Sequence, residues 1–422
     1  MPMNLNFQKY NYQDWCNISW EEFYKCITNY VSQIKKLIAH QSLPFLQKKI
    51  IPTGATLIFV SDLHGDFKTL WEIIIFLKKE GILSPNLELT QNCYLIALGD
   101  YVNRGAQSVP VLSLLCNLYS INPNQVVLLR GGHEVSICNK IFESKQLQAI
   151  RQNNTNDIKN LSTPFLQELR KRFGHDAYSL LYHLFESFPI ELFIGTQSTF
   201  LRCCHSGLEL GYNPQNFLCN TAQEFYTIDS LDRARALNHL ALAHELEEIR
   251  PYITRMLNIM KNAGGFDYYL KSVPINLYKP HCLYSLRFGT FWNNFLTQDN
   301  DNLEIAASTY RHCLFLGEKV TKYFLHHIET KETHCAGIFR GHQHMDEIIP
   351  DIGLESKMRT LIIQNKGVVK QWDGLLYTLG SSDSTTGYQS FVTITCTDEK
   401  SNWPVIHYFK KPEEENFSKT IL

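Results

Sequence analysis

Aspartate and histidine recur in this chain at the ends of short apolar runs, where a fold can gather them around metal ions. Asp62 and His64 follow Thr56–Val60, and two such residues, two apart on an extended segment, point the same way and can bind one ion. Asp100 and Arg104 follow Leu95–Gly99. There a carboxylate can hold a cation while a guanidinium beside it grips a phosphate through paired donors. The pattern repeats where Val126–Leu129 ends in Arg130-Gly131-Gly132-His133-Glu134, Phe200–Cys204 in His205-Ser206-Gly207-Leu208, and Cys335–Phe339 in Arg340-Gly341-His342-Gln343-His344. Taken singly, each histidine reads as a core or surface residue and Asp62-Leu63-His64 as a loop with a helix N-cap. Taken together, they are what a two-metal hydrolytic site requires.

To position these side chains, the apolar runs must be buried strands that deliver charge to the carboxyl edge of one sheet, where open α/β folds place their ligands. A helix is expected from about Phe67 to Lys79. Trp20, Phe23, Tyr24, Ile27, Tyr30, Val31, Ile34, Leu37 and Ile38 carry helical spacing and predict an amphipathic helix packed on the main domain. Gln223–Met260 predicts a helical hairpin broken near Pro251, with a turn at Gly264-Gly265. This insertion reads either as scaffold or as a lid or docking surface. Thr360–Ile363, Gly374–Leu379 and Phe391–Thr395 read as late strands of a second sheet.

Composition narrows the class. With 422 residues, 44% hydrophobic and 19% charged, the chain is globular, and a net charge of -1 gives no reason to expect nucleic acid or an anionic membrane as partner. Its twelve cysteines show no C-x-x-C pair and fit reduced thiols, with Cys203 and Cys204 read as small core hydrophobes. No apolar run approaches the ~18 residues of a membrane span, and no signal peptide is evident, so a soluble cytoplasmic protein is expected.

The order Asp-x-His-Gly, Gly-Asp-Tyr-Val-x-Arg-Gly, Leu-Leu-Arg-Gly-x-His-Glu, His-Ser-Gly-Leu and Arg-Gly-His-Gln resembles the phosphoprotein phosphatase (PPP) family of calcineurin-like metallophosphoesterases. Phe291-Trp292-Asn293-Asn294 resembles that family's tryptophan segment, and Leu316–Val320 with Phe324 and Leu325 resembles its helix before the last metal histidine. The resemblance implies an α/β metallophosphoesterase-type β-sandwich of mixed sheets flanked by helices. It implies two divalent ions, with Mn²⁺ expected and Fe or Zn as alternatives. Asp62 and His64 would hold the first ion, Asp100 would bridge, His205 and His342 would hold the second, and His344 would stand near the first. It further implies a metal-bridging hydroxide attacking phosphorus in line, Arg104 and Arg130 on the phosphoryl oxygens, and His133 protonating the leaving group. Glu134 would orient the loop.

Two positions depart from the family pattern. Gly132 stands where the family has an asparagine ligand of the second metal, which predicts weaker binding there. Asn103 stands where the family has an aspartate paired with the acid histidine, and an amide can still hydrogen-bond that imidazole. The implied function is a protein phosphatase for phosphoserine and phosphothreonine, with phosphotyrosine as a further class. A phosphodiesterase or nucleotide hydrolase, and a pseudo-phosphatase that binds phosphoproteins, are the alternatives. The expected organisation is an N-terminal helical extension over 1–50, a catalytic domain over 51–400 with an insertion at about 213–285, and a tail over 401–422. The family's late loop, which closes the site, reads Gly380–Tyr388 here without a cysteine. Glu413-Glu414-Glu415 reads as a solvated terminus, and it also resembles the acidic tails of effectors exported by bacterial type IV secretion into another cell. A phosphoprotein is the partner implied, and a monomer is the working expectation.

Overall fold

The computed structural model describes residues 10–38, 43–138, 141, 163–174, 177–207, 214–220, 222–228, 294–297, 305–308, 313–349, 354–399 and 403–422. In chain order the strands are β1 (Leu43–Ile50), β2 (Thr56–Val60), β3 (Cys93–Ala97), β4 (Val126–Leu128), β5 (Glu191–Gly195), β6 (Thr199–Cys204) and β7 (Phe225–Ile228). There follow β8 (Asn294–Phe295), β9 (Ile305–Ser308), β10 (Cys313–Leu316), β11 (His334–Arg340), β12 (Glu347–Ile349) and β13 (Leu354–Ser356). The last are β14 (Val368–Gln371), β15 (Leu376–Leu379), β16 (Gln389–Thr395), β17 (Val405–Lys410) and β18 (Ser418–Ile421).

Two large mixed sheets form the body, a seven-stranded one ordered β14-β15-β11-β6-β5-β1-β7 and a six-stranded one ordered β18-β17-β16-β2-β3-β4. The motif-bearing strands are therefore divided between them. β2, β3 and β4 run parallel in one sheet, and β6 and β11 run parallel in the other. The single sheet edge expected from sequence is in fact two edges brought face to face.

Alternation within the apolar runs explains this layering. Ile58, Val60, Leu95, Ala97, Val126 and Leu128 join the cluster beneath the helices, while Leu57, Phe59, Ile96, Leu98, Val127 and Leu129 join the cluster between the sheets. Strands buried on both faces must read as continuous apolar runs, as these do. Phe59 stacks on Phe339 at 4.7 Å and Phe339 on Tyr377 at 4.5 Å, which locks the sheets together.

Helices cover the six-stranded sheet. After α1 (Tyr12–Cys16), α2 (Trp20–Leu37) starts at a capping box of Ser19 and Glu22 and buries Phe23, Cys26, Ile27, Tyr30, Val31 and Ile34. The next elements are α3 (Phe67–Lys79), α4 (Ser108–Ile121), a helix α5 over 132–138, α6 (Pro164–Phe173) and α7 (Ala177–Glu186). α2 packs on α4 and α7, with Tyr30 against Tyr119 at 4.4 Å.

Several boundaries differ from expectation. β1, within the expected helical extension, pairs with β5 and β7 in the main sheet. Thr360–Ile363 is part of a helix, Met358–Gln364. Met358 and Ile362, one helical turn apart, are buried while Ile363 is exposed, a period of 3.6 rather than 2. β15 and β16 belong to different sheets. The expected tail supplies β17, with Trp403 and Val405 in the core, and ends in β18 on the sheet edge. Of the expected helical insertion, Phe225–Ile228 is a strand, because it pairs with β1. Residues 229–293, with the hairpin, the Gly264-Gly265 turn and most of the tryptophan segment, lie outside the described residues.

Candidate metal centre

The strand ends turn sharply. Asp62, His64, Asp100, Asn103, Arg104 and His342 all adopt positive φ, between +45° and +70°. Each costs on the order of 1–3 kcal/mol for a residue with a Cβ, and such strain gathers where geometry serves function. The loops also approach one another through glycines. A Cβ on Gly131 would lie 2.2 Å from the Asp100 amide nitrogen, and one on Gly341 would lie 2.0 Å from Asp62 Oδ2.

These turns bring together three overlapping sets of donor atoms: Asp62, His64 and His344; His64, Asp100 and His133; and Asp100, His205 and His342. Within each set the atoms lie within 4.8 Å of one another. His64 Nε2 stands 3.8 Å from both Asp62 Oδ1 and Asp100 Oδ2, His205 Nε2 stands 3.3 Å from Asp100 Oδ2, and His344 Nδ1 stands 3.6 Å from Asp62 Oδ1. Asp100 faces both sides. All six residues expected as ligands are thus collected, and His344 falls on the side of Asp62 and His64.

The residues present fit divalent cations. Asp62 Oδ1, His64 Nε2 and His344 Nδ1 are buried without a hydrogen-bond partner. Left so, each would cost about 1–3 kcal/mol, a cost a cation removes. The opposite ring nitrogens are anchored, as metal-binding imidazoles require: His205 Nδ1 lies 2.9 Å from the Leu98 carbonyl and His64 Nδ1 3.4 Å from that of Val102. Burial holds His64, His342 and His344 below the usual histidine range, so their lone pairs are free for ligation, and it lowers His133 as well. His205 is the exception. Burial opposes its charge, but Asp100, Asp62 and Glu134 outweigh that and raise it to about 9.

Glu134 holds two loops in register. Its carboxylate accepts the amide N–H groups of Asp100, Tyr101 and Gly131, each at 2.9 Å. His133, at the start of α5, donates its backbone N–H to Asp100 Oδ1 at 2.7 Å, and its ring lies 4.7 Å from that of His64. Arg104 is exposed and donates from Nη1 to His344 Nε2, which sets its guanidinium at the mouth of the cluster.

Two expected residues have other surroundings. Arg130 is 1% exposed; burial lowers its pKa, against the opposing influence of Cys138, Glu186, Tyr182 and Glu134. Asn103 does not engage the acid histidine. Its Oδ1 accepts the Phe165 N–H at 3.4 Å at the start of α6, while His133 Nδ1 has no hydrogen-bond partner.

Other residues emerge only from the fold. Glu168 on α6 accepts the N–H groups of Ser108 and Val109 at 3.0 and 3.2 Å and so caps α4 behind the Arg104 loop. Arg340 donates to the Ser206 carbonyl and Thr378 Oγ1, and Gln343 bonds the Phe295 backbone in both directions, which ties β8 to the last histidine loop. The Arg-Gly-His-Gln motif hinted at Arg340 and Gln343; nothing local in the sequence pointed to Glu168.

Residues 55–248 match the calcineurin-like phosphoesterase family model. Over 194 residues, 45% of this chain and 44% of the relative, the chain is 26% identical to the serine/threonine-protein phosphatase 6 catalytic subunit of Caenorhabditis elegans. The match thus spans less than half of that relative's length. A solved protein serine/threonine phosphatase from Saccharomyces cerevisiae, described as similar to human phosphatase PP5, covers 95% of this chain and 89% of its own, at 14% identity and a TM-score of 0.49. A cold-active protein tyrosine phosphatase covers 93% of this chain and 82% of its own, at 14% identity and a TM-score of 0.42.

Proposed function

From the calcineurin-like phosphoesterase domain that residues 55–248 carry, we propose that this chain is a metal-dependent phosphoprotein phosphatase of the PPP kind. Its substrates in this reading are phosphoserine and phosphothreonine, with phosphotyrosine as a further class. The observation that carries the proposal is Asp100, shared between donor sets that contain His64 on one side and His205 with His342 on the other.

Asp62, His64 and His344 would hold one divalent ion, His205 and His342 the other, and Asp100 both, with Mn²⁺ as the expected metal. Bound there, the ions would supply the charge that makes water a nucleophile near neutral pH. The chain's own residues supply the rest. Arg104, at the mouth, binds and orients the phosphoryl oxygens through its planar fork. His133, held against Asp100 by its backbone N–H, gives a proton to the leaving oxygen through its ring. Glu134 keeps the Asp100 and Gly131 loops at fixed separation.

The buried Arg130 and the unpartnered His133 Nδ1 favour a second reading, a pseudo-phosphatase that binds phosphoproteins. Phosphoserine, phosphothreonine and phosphotyrosine peptides, together with a nucleotide panel, assayed across Mn²⁺ concentration, separate the readings. Release of phosphate from peptides above nucleotides supports the phosphatase. Binding of phosphopeptides with no turnover at any Mn²⁺ concentration supports the pseudo-enzyme. The export reading of the acidic tail rests on its resemblance alone; a translocation reporter on full-length and tail-deleted chains tests it.

A further inference from the structure

The two oxygens of Asp62 have unequal surroundings. Oδ2 accepts the backbone N–H of His342 at 2.9 Å and the hydroxyl of Ser61, while Oδ1 has no hydrogen-bond partner and faces His64 and His344. Ser61 is itself held. It is 1% exposed, its N–H donates to Ser381 Oγ at 3.0 Å, and its carbonyl accepts the Ser381 N–H at 3.1 Å. Ser381 in turn is fixed from β16, because its carbonyl accepts the Ser390 N–H at 3.0 Å. Gly341 makes the arrangement spatially feasible, since a Cβ there would lie 1.8 Å from Ser61 Oγ.

We infer that Ser61 is a positioning residue for the first metal: its hydroxyl, carried on a backbone that Ser381 holds at both N–H and carbonyl, binds Asp62 Oδ2 so that Oδ1 alone is presented to the ion. The late loop at Gly380–Tyr388 would then act at its Ser381 end as a foundation for the metal loop rather than as a cover. Both oxygens of an unrestrained aspartate sample several rotations; with Oδ2 occupied by two donors, Oδ1 faces the imidazoles without further ordering.

The inference rests on the proposed metal centre, and its test reads metal binding rather than turnover. Mn²⁺ is titrated calorimetrically into the full chain, wild type and Ser61→Ala, with the thermal midpoint of each metal-free protein recorded. Loss of a hydrogen-bond partner behind a ligand typically weakens metal binding by about 10- to 100-fold, and that loss is expected for Ser61→Ala. Ser61→Cys, close in size but a weak donor, should show the same loss and guards against a variant that fails to fold. Ser61→Thr, which keeps the hydroxyl, should restore binding. Wild-type affinity in either Ser61→Ala or Ser61→Cys overturns the inference. If the wild-type chain itself binds no Mn²⁺, the metal centre fails first.

Discussion

His205 Nε2 lies 3.3 Å from Asp100 Oδ2, the carboxylate oxygen that the proposed second cation would share with it. The Asp100 carboxyl is held well below its usual range: burial opposes its ionisation, and the imidazoles of His205, His133 and His64 outweigh it. His205 is correspondingly raised to about 9. Because the folded value exceeds the ordinary histidine value of about 6.5, its stabilisation is full below pH ~6.5 and is lost as pH rises through about 9. The metal-free protein should therefore show a thermal midpoint that falls between pH 6.5 and 9. Mn²⁺ binding near pH 7.5 should release a proton, seen as a binding heat that depends on the ionisation enthalpy of the buffer. A midpoint flat over that window, with buffer-independent heat, would contradict this.

Glu134 should matter for folding before it matters for chemistry. Replacement by alanine leaves the buried N–H groups of Asp100, Tyr101 and Gly131 without their acceptor. At about 1–3 kcal/mol for each lost partner, Glu134→Ala should cost at least about 3 kcal/mol in urea unfolding. Glu134→Gln, which keeps one acceptor oxygen, should fall between.

The two arginines should separate cleanly. Arg104→Ala removes an exposed side chain together with its hydrogen bond to His344 Nε2, so unfolding free energy should fall by only about 1 kcal/mol. If Arg104 grips the phosphoryl group, kcat/KM for a phosphopeptide should fall by about 10²- to 10³-fold. Arg130→Ala removes a buried cation on which Cys138, Glu186 and Glu134 act, so its main effect should be loss of stability, about 3 kcal/mol or more. Equal kinetic losses in two equally stable variants would return Arg130 to the phosphate site.

Asn103→Asp keeps an acceptor for the Phe165 N–H, so it should fold as the wild type does. Asn103→Ala should cost about 1 kcal/mol and leave the pH dependence of turnover unchanged, because the side chain is engaged by α6. A shifted acid limb in Asn103→Ala would show that it acts on His133 after all.

These outcomes also mark what was legible before any fold was known. Asp62, His64, Asp100, His205 and His342 announced themselves because each follows a largely apolar run, as strands buried on both faces do. The division of those runs between two sheets was hidden, since pairing partners such as β2 and β16 are distant in sequence. The same limit applies to Asn103 and Arg130, whose types match a phosphate site but whose surroundings include residues of α6 and α7, elements without a motif. At Thr360–Ile363 a short apolar run suited either period, and burial of Met358 and Ile362 decided for helix. At 401–422 the acidic run drew attention from Val405–Lys410, whose alternation is that of a strand.

The central claim is that two cations sharing Asp100 drive phosphoester hydrolysis. Its most direct test is the rate of phosphate release from a phosphoserine peptide against Mn²⁺ concentration, for wild type and Asp100→Asn. The account predicts turnover that rises to saturation with Mn²⁺, vanishes with chelator, and is lost in Asp100→Asn. No release at any Mn²⁺ concentration, or release unchanged by Asp100→Asn, would contradict it.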